Sequence, residues 1–199
     1  MNLTFLYNKS FVCSLLLLSA SSLLLSANAQ SKDPQKPNIV FIFSDDHAYQ
    51  AIGAYGNKLA QTPNIDRIAK EGALFSNFLV TNSICGPSRA NLLTGKYSHL
   101  NGYIANEEKF NVEQPLFSRL LKQADYQTAW IGKWHLGSLP GDAFDYWQVL
   151  PGQGHYYNPE FINQQNDTAR IEGYVTNIIT DLATSFLDNR DKDKPFFFG

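Results

Sequence analysis

Cysteine is scarce: the chain of 199 residues has two, Cys13 and Cys85. A scaffold stapled by several disulfides is excluded by that count. Cys13 lies in an apolar stretch near the N-terminus, and if that stretch is removed Cys85 stands alone, either idle or chemically used. An excess of charge of one sign is also lacking, with 16 basic against 18 acidic residues and a formal net charge of −2. No local run of Lys and Arg appears, which argues against a nucleic acid or an anionic membrane surface as partner. Internal repeats and low-complexity tracts are absent beyond the N-terminal segment. The one long apolar stretch, Val12 to Leu25, is interrupted at Ser19 to Ser22 and is short for a membrane span.

The first thirty residues have a three-part pattern. Asn2 to Phe11 is polar with one positive charge at Lys9, Val12 to Leu25 is mostly apolar, and Ala27-Asn28-Ala29 offers small residues for cleavage before Gln30. Residues 1–29 are therefore expected to be a secretory signal peptide. Cys13 falls inside the apolar part rather than at its end, which argues against a lipid-anchored cysteine. Export is the expectation, to the periplasm or the outside of a bacterium or into a eukaryotic secretory or lysosomal route, with no stable membrane insertion after cleavage. Removing 1–29 takes one lysine and no acid, which leaves 15 basic and 18 acidic residues and a formal charge of −3. Residues 30–199 could fill one domain. Because Lys194-Pro195-Phe196-Phe197-Phe198-Gly199 reads as a buried strand just beginning, they are expected to be the N-terminal part of a larger domain, incomplete at its C-terminus.

Strand and helix patterns alternate along the chain. Asn38 to Phe43 is a continuous apolar run, the pattern of a strand buried on both faces of a parallel sheet. Thr62 to Ala69 has an N-cap threonine, Pro63 at the first helical position and Gly72 as its stop, so it predicts a helix. Ala73 to Val80 reads as a strand and Thr81-Asn82-Ser83 as a polar bend. Pro115 to Ala124 has apolar positions 116, 117, 120 and 121 on one helical face, Gln127 to Ile131 is a short strand, and Gly173 to Asp188 is an amphipathic helix. From Phe144 to Pro159, Gly, Pro and aromatic residues suggest a long ordered loop of the kind that carries specificity. The order implies an α/β protein with a mostly parallel sheet covered on both faces.

Four clusters carry candidate chemistry. Asp45 and Asp46 follow the first strand, and open α/β sheets place ligands at the carboxyl ends of their strands. Adjacent carboxylates suit a hard divalent cation, while the alternative is that one of them caps the helix that follows. Cys85 opens a short helix, with Pro87 suited to its first position and Gly95 to its left-handed cap, so a thiolate, an oxyanion or a sulfate group would be favoured at its positive end. Lys133 and His135, two apart after a strand, point to one side if extended geometry persists. In the aromatic loop, rings could stack on a sugar while His155 or Asn158 bonds its hydroxyls, or the rings could simply seal the core. Asn166-Asp167-Thr168 fits a glycosylation sequon, which matters in a eukaryotic secretory pathway.

Cys85-x-Pro87-Ser88-Arg89 followed by Leu93-Thr94-Gly95 resembles the signature of the type I, formylglycine-dependent sulfatases. The acidic pair, Thr62-Pro63-Asn64-x-Asp66 and Gly132-Lys133-Trp134-His135-Leu136-Gly137 resemble the same family in the same order. The resemblance implies an alkaline-phosphatase-like α/β/α sandwich that hydrolyses sulfate esters. It implies calcium held by Asp45, Asp46 and the group made from Cys85, with His47 at or beside that shell. Cys85 would be oxidised to formylglycine by a formylglycine-generating or sulfatase-maturing enzyme, and its hydrate would attack sulfur. Arg89, Lys133 and His135 would act on the sulfate, Lys96 would orient the aldehyde hydrate, and His99 would either support the groups that touch the sulfate or be structural. Trp134 would be packing. Gly86 is small where relatives carry several different residues, a departure taken as harmless to the implied activity. His155-Tyr156-Tyr157-Asn158 together with Asp46-His47-Ala48-Tyr49 is similar to sulfatases acting on N-acetylglucosamine-6-sulfate, so a sulfated carbohydrate is the implied substrate. The family's remaining metal ligands, an acid and an amide, and a further lysine are expected beyond residue 199, so this stretch alone is expected to be inactive. A phosphoester or phosphonate hydrolase on the same scaffold, or a glycan-binding relative with a dead site, are the competing readings.

Overall fold

A computed structural model describes residues 36–199; the expected signal peptide, 1–29, lies outside the described residues. Six strands form one sheet: β1 (Ile39–Val40), β2 (Gln127–Lys133), β3 (Tyr146–Leu150), β4 (Glu160–Asn163), β5 (Thr168–Arg170) and β6 (Phe196–Phe198), in the order β1-β6-β2-β3-β4-β5. The pairings β1–β6, β6–β2 and β2–β3 are parallel, whereas β3–β4 and β4–β5 are antiparallel. The sheet is thus mixed, with its parallel half around β2. Among the described residues five α-helices accompany it: α1 (Pro63–Glu71), α2 (Cys85–Thr94), α3 (Ser98–Asn101), α4 (Phe117–Gln123) and α5 (Val175–Asn189).

The period of two in β2 explains how both faces are covered. Ala129 and Ile131 join Phe196, Ala183 and Phe186 in one core, which α5 closes. Trp130 points the other way, into a larger core with Phe197, Phe144, Trp134, Leu93 and Ala90, against which Phe117 of α4 also packs. Trp134 is buried there, as its expected packing role requires. Asp145 pins the start of β2: its Oδ2 accepts from both the N–H and the hydroxyl of Thr128, at 2.9 Å each, and its Oδ1 lies 3.2 Å from Lys122 Nζ. Among the described residues no helix is long and apolar enough to cross a membrane.

The structure corrects several expectations. The run 38–43 yields two strand residues plus one further ladder bond, from Phe41 N–H to the Phe198 carbonyl. β1 pairs with β6 alone, so Val40 and Ile42 are 52% and 78% exposed rather than buried on both faces. Ala73 to Val80 forms no strand, because no described segment pairs with it, and Leu79 is left 87% exposed. β3 runs through the expected aromatic loop, and β4 and β5 form a hairpin with the sequon asparagine, Asn166, in left-handed backbone at its turn. α4 is shorter than 115–124 and leaves Leu120 exposed. Thr62 precedes α1, but its hydroxyl accepts from Gly53 N–H and donates to Asp66 rather than capping the helix, and Gly72 ends α1 without left-handed backbone.

Candidate active site

Because β1, β6 and β2 run parallel, the chain following β1 and the last residue of β2 emerge at one end of the sheet. That end carries Asp45 and Lys133, with α2 beginning beside them. Lys133 Nζ donates to Asp45 Oδ2, donates to Gln153 Oε1 at 2.5 Å, and lies 3.8 Å from Cys85 Sγ. Arg89, with 3% of its side chain exposed, donates from Nη1 to the Cys85 carbonyl at 3.0 Å. Its Nη2 is 3.8 Å from Asp45 Oδ1, and its guanidinium lies over the Phe43 ring, 5.1 Å from the centroid. Two cations therefore bracket one carboxylate beside the cysteine.

The helix start differs from its expected form. Cys85 is the first residue of α2 and Pro87 the third, while Gly95 takes the left-handed cap at φ 66° as expected. Pro87 has no N–H, Ser88 N–H bonds to the Ile84 carbonyl, and Gly86 N–H donates to Asn106 Oδ1 at 2.9 Å. Of the first four backbone groups, the Cys85 N–H alone is left for a ligand, so the positive field of the site comes chiefly from Arg89 and Lys133.

Gly86 is closely packed. A Cβ at that residue would stand 2.7 Å from Tyr103 Cε1 and 2.9 Å from the His135 carbonyl. The second neighbour is backbone and cannot swing aside. We expect Gly86→Ala to destabilise the fold by about 1–3 kcal/mol, read by chemical denaturation; an unchanged midpoint would contradict the packing described.

His135 takes left-handed backbone at φ 53°, after Gly132 at φ 107°, so the extended geometry that would put Lys133 and His135 on one side does not persist. The two are still electrostatic neighbours. Burial, then the charges of Lys133 and Arg89, push the His135 imidazole below its ordinary 6.5, against an opposing pull from Asp45. Its Nδ1 is buried without a partner among the described residues. The folded state thus favours the neutral ring and binds fewer protons than the unfolded chain just below pH 6.5, so stability falls as pH drops through that window. His135→Gln should flatten that part of a stability–pH curve, measured by urea unfolding between pH 7 and 5; an unaltered slope would refute the assignment. Burial raises the Asp45 carboxyl, but the Lys133 hydrogen bond and the charges of Arg89, Lys133 and His135 outweigh it and hold the group below its ordinary 3.8. Its contribution is lost only at still lower pH, outside the histidine window.

A hard cation is tested by the donor set. Asp45 and Asp46 offer oxygens of the right kind, and the side chain of Asp46, with φ 50°, makes no hydrogen bond or ion pair among the described residues. Calcium takes six to eight oxygens, and no cluster of three or more His, Cys, Asp and Glu side chains gathers among the described residues. The pair fits as part of a shell. His47 bonds Ser44 Oγ through Nδ1 at 3.1 Å.

Other expected residues fall elsewhere. Asn158 Oδ1 accepts from Gly173 N–H at 2.9 Å and its carbonyl accepts from Arg170, so it ties the aromatic loop to the start of α5. No hydrogen bond or ion pair of the described residues joins His155 or Asn158 to Cys85, Arg89 or Lys133. Lys96 contributes its carbonyl to Asn101, and His99 stacks on Tyr97. Two residues that the sequence did not single out do reach the site: Asn106 through Gly86 and Gln153 through Lys133. Each is twenty positions from its partner, and an isolated carboxamide in a loop has no sequence signal.

An α/β sheet that gathers a helix-start cysteine, two cations and a carboxylate at the carboxyl ends of its parallel strands defines a class: proteins built to hold a small anionic group. The chain belongs to the sulfatase family, whose family model matches residues 37–199. It is 52% identical over 185 residues to the N-acetylglucosamine-6-O-sulfatase of Bacteroides thetaiotaomicron, which covers 92% of this chain and 33% of that protein. It is 32% identical to an ulvan-active sulfatase of Formosa agariphila over 97% of this chain and 40% of that one. A solved structure of a protein in complex with its substrate D-glucosamine-2-N,6-O-disulfate superposes with a TM-score of 0.79 at 52% identity, covering 82% of this chain and 33% of that one. The fold is the alkaline-phosphatase-like fold of these sulfatases. The chain spans about a third of the length of the first of these relatives.

Proposed function

We propose that the full-length protein hydrolyses sulfate monoesters on a sulfated glucosamine-type carbohydrate, with Cys85 converted by a maturing enzyme to formylglycine. The convergence of Arg89, Lys133 and Asp45 on Cys85 supports this reading most directly. The 52% identity to an N-acetylglucosamine-6-O-sulfatase and the likeness to a structure holding a glucosamine disulfate support the substrate class. Export is part of the same proposal and rests on the three-part segment 1–29.

A sulfate monoester is an anion, and an approaching oxygen nucleophile meets its charge. Arg89 is held rigid by the Cys85 carbonyl and Asp45, so its position costs no reorganisation when charge develops on the outer oxygens. Lys133 has three N–H donors; Asp45 and Gln153 take two, and the third lies toward Cys85, where the sulfate must sit. His135, whose surroundings favour the neutral ring, offers an imidazole N–H to the sulfate or an acceptor for proton transfer. Formylglycine made from Cys85 supplies an oxygen nucleophile in place of sulfur. Calcium, when bound by Asp45 and Asp46, offsets the charge of the sulfate.

The test is release of sulfate from N-acetylglucosamine-6-sulfate by the full-length protein co-expressed with a maturing enzyme, against release of phosphate from the matching phosphate ester. Faster sulfate release by tenfold or more is expected. The reverse order would instead establish a phosphoester hydrolase.

A further inference from the structure

Two carboxamides flank Cys85, and both are anchored by their oxygens. Asn106 Oδ1 accepts from Gly86 N–H at 2.9 Å, and Gln153 Oε1 accepts from Lys133 Nζ at 2.5 Å. A backbone N–H and an ammonium can only donate, so each partner dictates which end of the amide faces it. The oxygen is turned to the protein and the NH2 group is left as the outward donor. Neither NH2 has a hydrogen-bond partner among the described residues.

Asn106 lines one cavity, and Gln153 directly follows another residue of its wall, Gly152. The cavity is open, about 710 Å3 in volume, and is lined also by His135, Lys109, Trp134 and Val149. The volume falls within the range of about 300–1,000 Å3 typical of small-molecule sites. The loop carrying Gln153 is shaped by a turn from Gly154 N–H to the Pro151 carbonyl, with Gly152 and Gly154 at φ 53° and 75°. A cavity with an apolar wall and donors at its edge suits a ligand that presents acceptor oxygens around an apolar ring face.

We propose that Asn106 and Gln153 are specificity-determining residues, whose NH2 groups donate to acceptor oxygens of the sugar ring that bears the sulfate. This deepens the sulfate-ester reading and rests on it. The same two residues couple sugar recognition to the reacting centre, because the oxygen of one holds the amide next to Cys85 and the oxygen of the other holds Lys133. A sugar oxygen bonded to either NH2 is thereby registered against the cysteine position.

Isosteric variants separate the two ends of each amide. Asn106→Asp and Gln153→Glu keep the anchoring oxygen and lose the donor, whereas Asn106→Ala and Gln153→Ala lose both. In the matured full-length enzyme, the measured quantity is the ratio of kcat/KM on N-acetylglucosamine-6-sulfate to kcat/KM on 4-nitrophenyl sulfate, which has no sugar. Taking the ratio cancels the general repulsion that an added carboxylate exerts on any sulfate. The isosteric variants are expected to lower it at least threefold, mainly through KM of the sugar substrate, with a thermal midpoint near the parent's. A smaller change in the ratio for both overturns the proposal and leaves a purely anchoring role, in which the alanine variants alone are impaired and equally on both substrates. If the parent hydrolyses neither substrate, the hydrolase reading fails separately. Calorimetric titration with the sugar sulfate and with inorganic sulfate then reads the carboxamides alone: loss of preference for the sugar sulfate in the isosteric variants upholds the donor role, and an unchanged preference overturns it.

Discussion

Replacing Cys85 with alanine in the full-length protein should lower sulfate-ester hydrolysis by at least about 10³-fold, the loss expected when a covalent nucleophile is removed and only the binding groups remain. Stability should barely change. Cys85 is the first residue of α2, partly exposed, and its sulfur makes one long contact, 3.8 Å to Lys133, so losing it leaves no buried group unsatisfied. The pairing of a large kinetic loss with a small structural one distinguishes a reacting group from a packing group. Steady-state rates on an aryl sulfate, alongside urea unfolding of the same sample, measure both. Activity above a tenth of the parent's would show that the nucleophile lies elsewhere.

Arg89→Met should have the second largest effect, and of a different kind. Methionine fills much of the aliphatic volume but removes the charge, the bond to the Cys85 carbonyl and the partner of Asp45 Oδ1. Loss of one positioned donor to developing charge costs about 10²–10³ in kcat. The fold should lose about 1–3 kcal/mol, because a charged hydrogen bond to the Cys85 carbonyl is removed, while that carbonyl keeps its helical partner and the carboxylate keeps Lys133 and is a third exposed to water. Burial also pulls the Arg89 pKa below its ordinary range, with Asp45 opposing, the signature of a cation whose desolvation is offset by its neighbour. Combining Arg89→Met with Asp45→Asn should then cost less stability than the sum of the single changes. Strict additivity, measured in a double-mutant cycle by denaturation, would mean that the 3.8 Å pair carries no coupling.

The site was legible where chemistry is local. Cys85 and Arg89 lie within one short helix that Gly95 caps, and their spacing alone predicted a helix with its cysteine at the mouth and a left-handed stop, which the structure shows. Asp45 and Lys133 each follow the end of a strand pattern, and parallel strands bring such ends together. Asn106 and Gln153 were not legible, because a carboxamide in a loop acquires its role only from the donor that folding sets beside it.

The sequence by itself determined which side chains of β2 and α5 share a face, and it singled out Cys85, Arg89, Asp45 and Lys133. The alternation of Ala129, Trp130 and Ile131, and the helical spacing of Val175, Ile178 and Phe186, commit side chains to faces whatever their neighbours are. Tertiary structure decided which apolar runs become strands. Residues 38–43 and 73–80 both read as strands, yet one contributes two residues to the sheet and the other none, since a strand exists only where another segment accepts its hydrogen bonds. It also decided the orientation of the two amides and the bend at His135, because both depend on contacts between segments far apart in the chain.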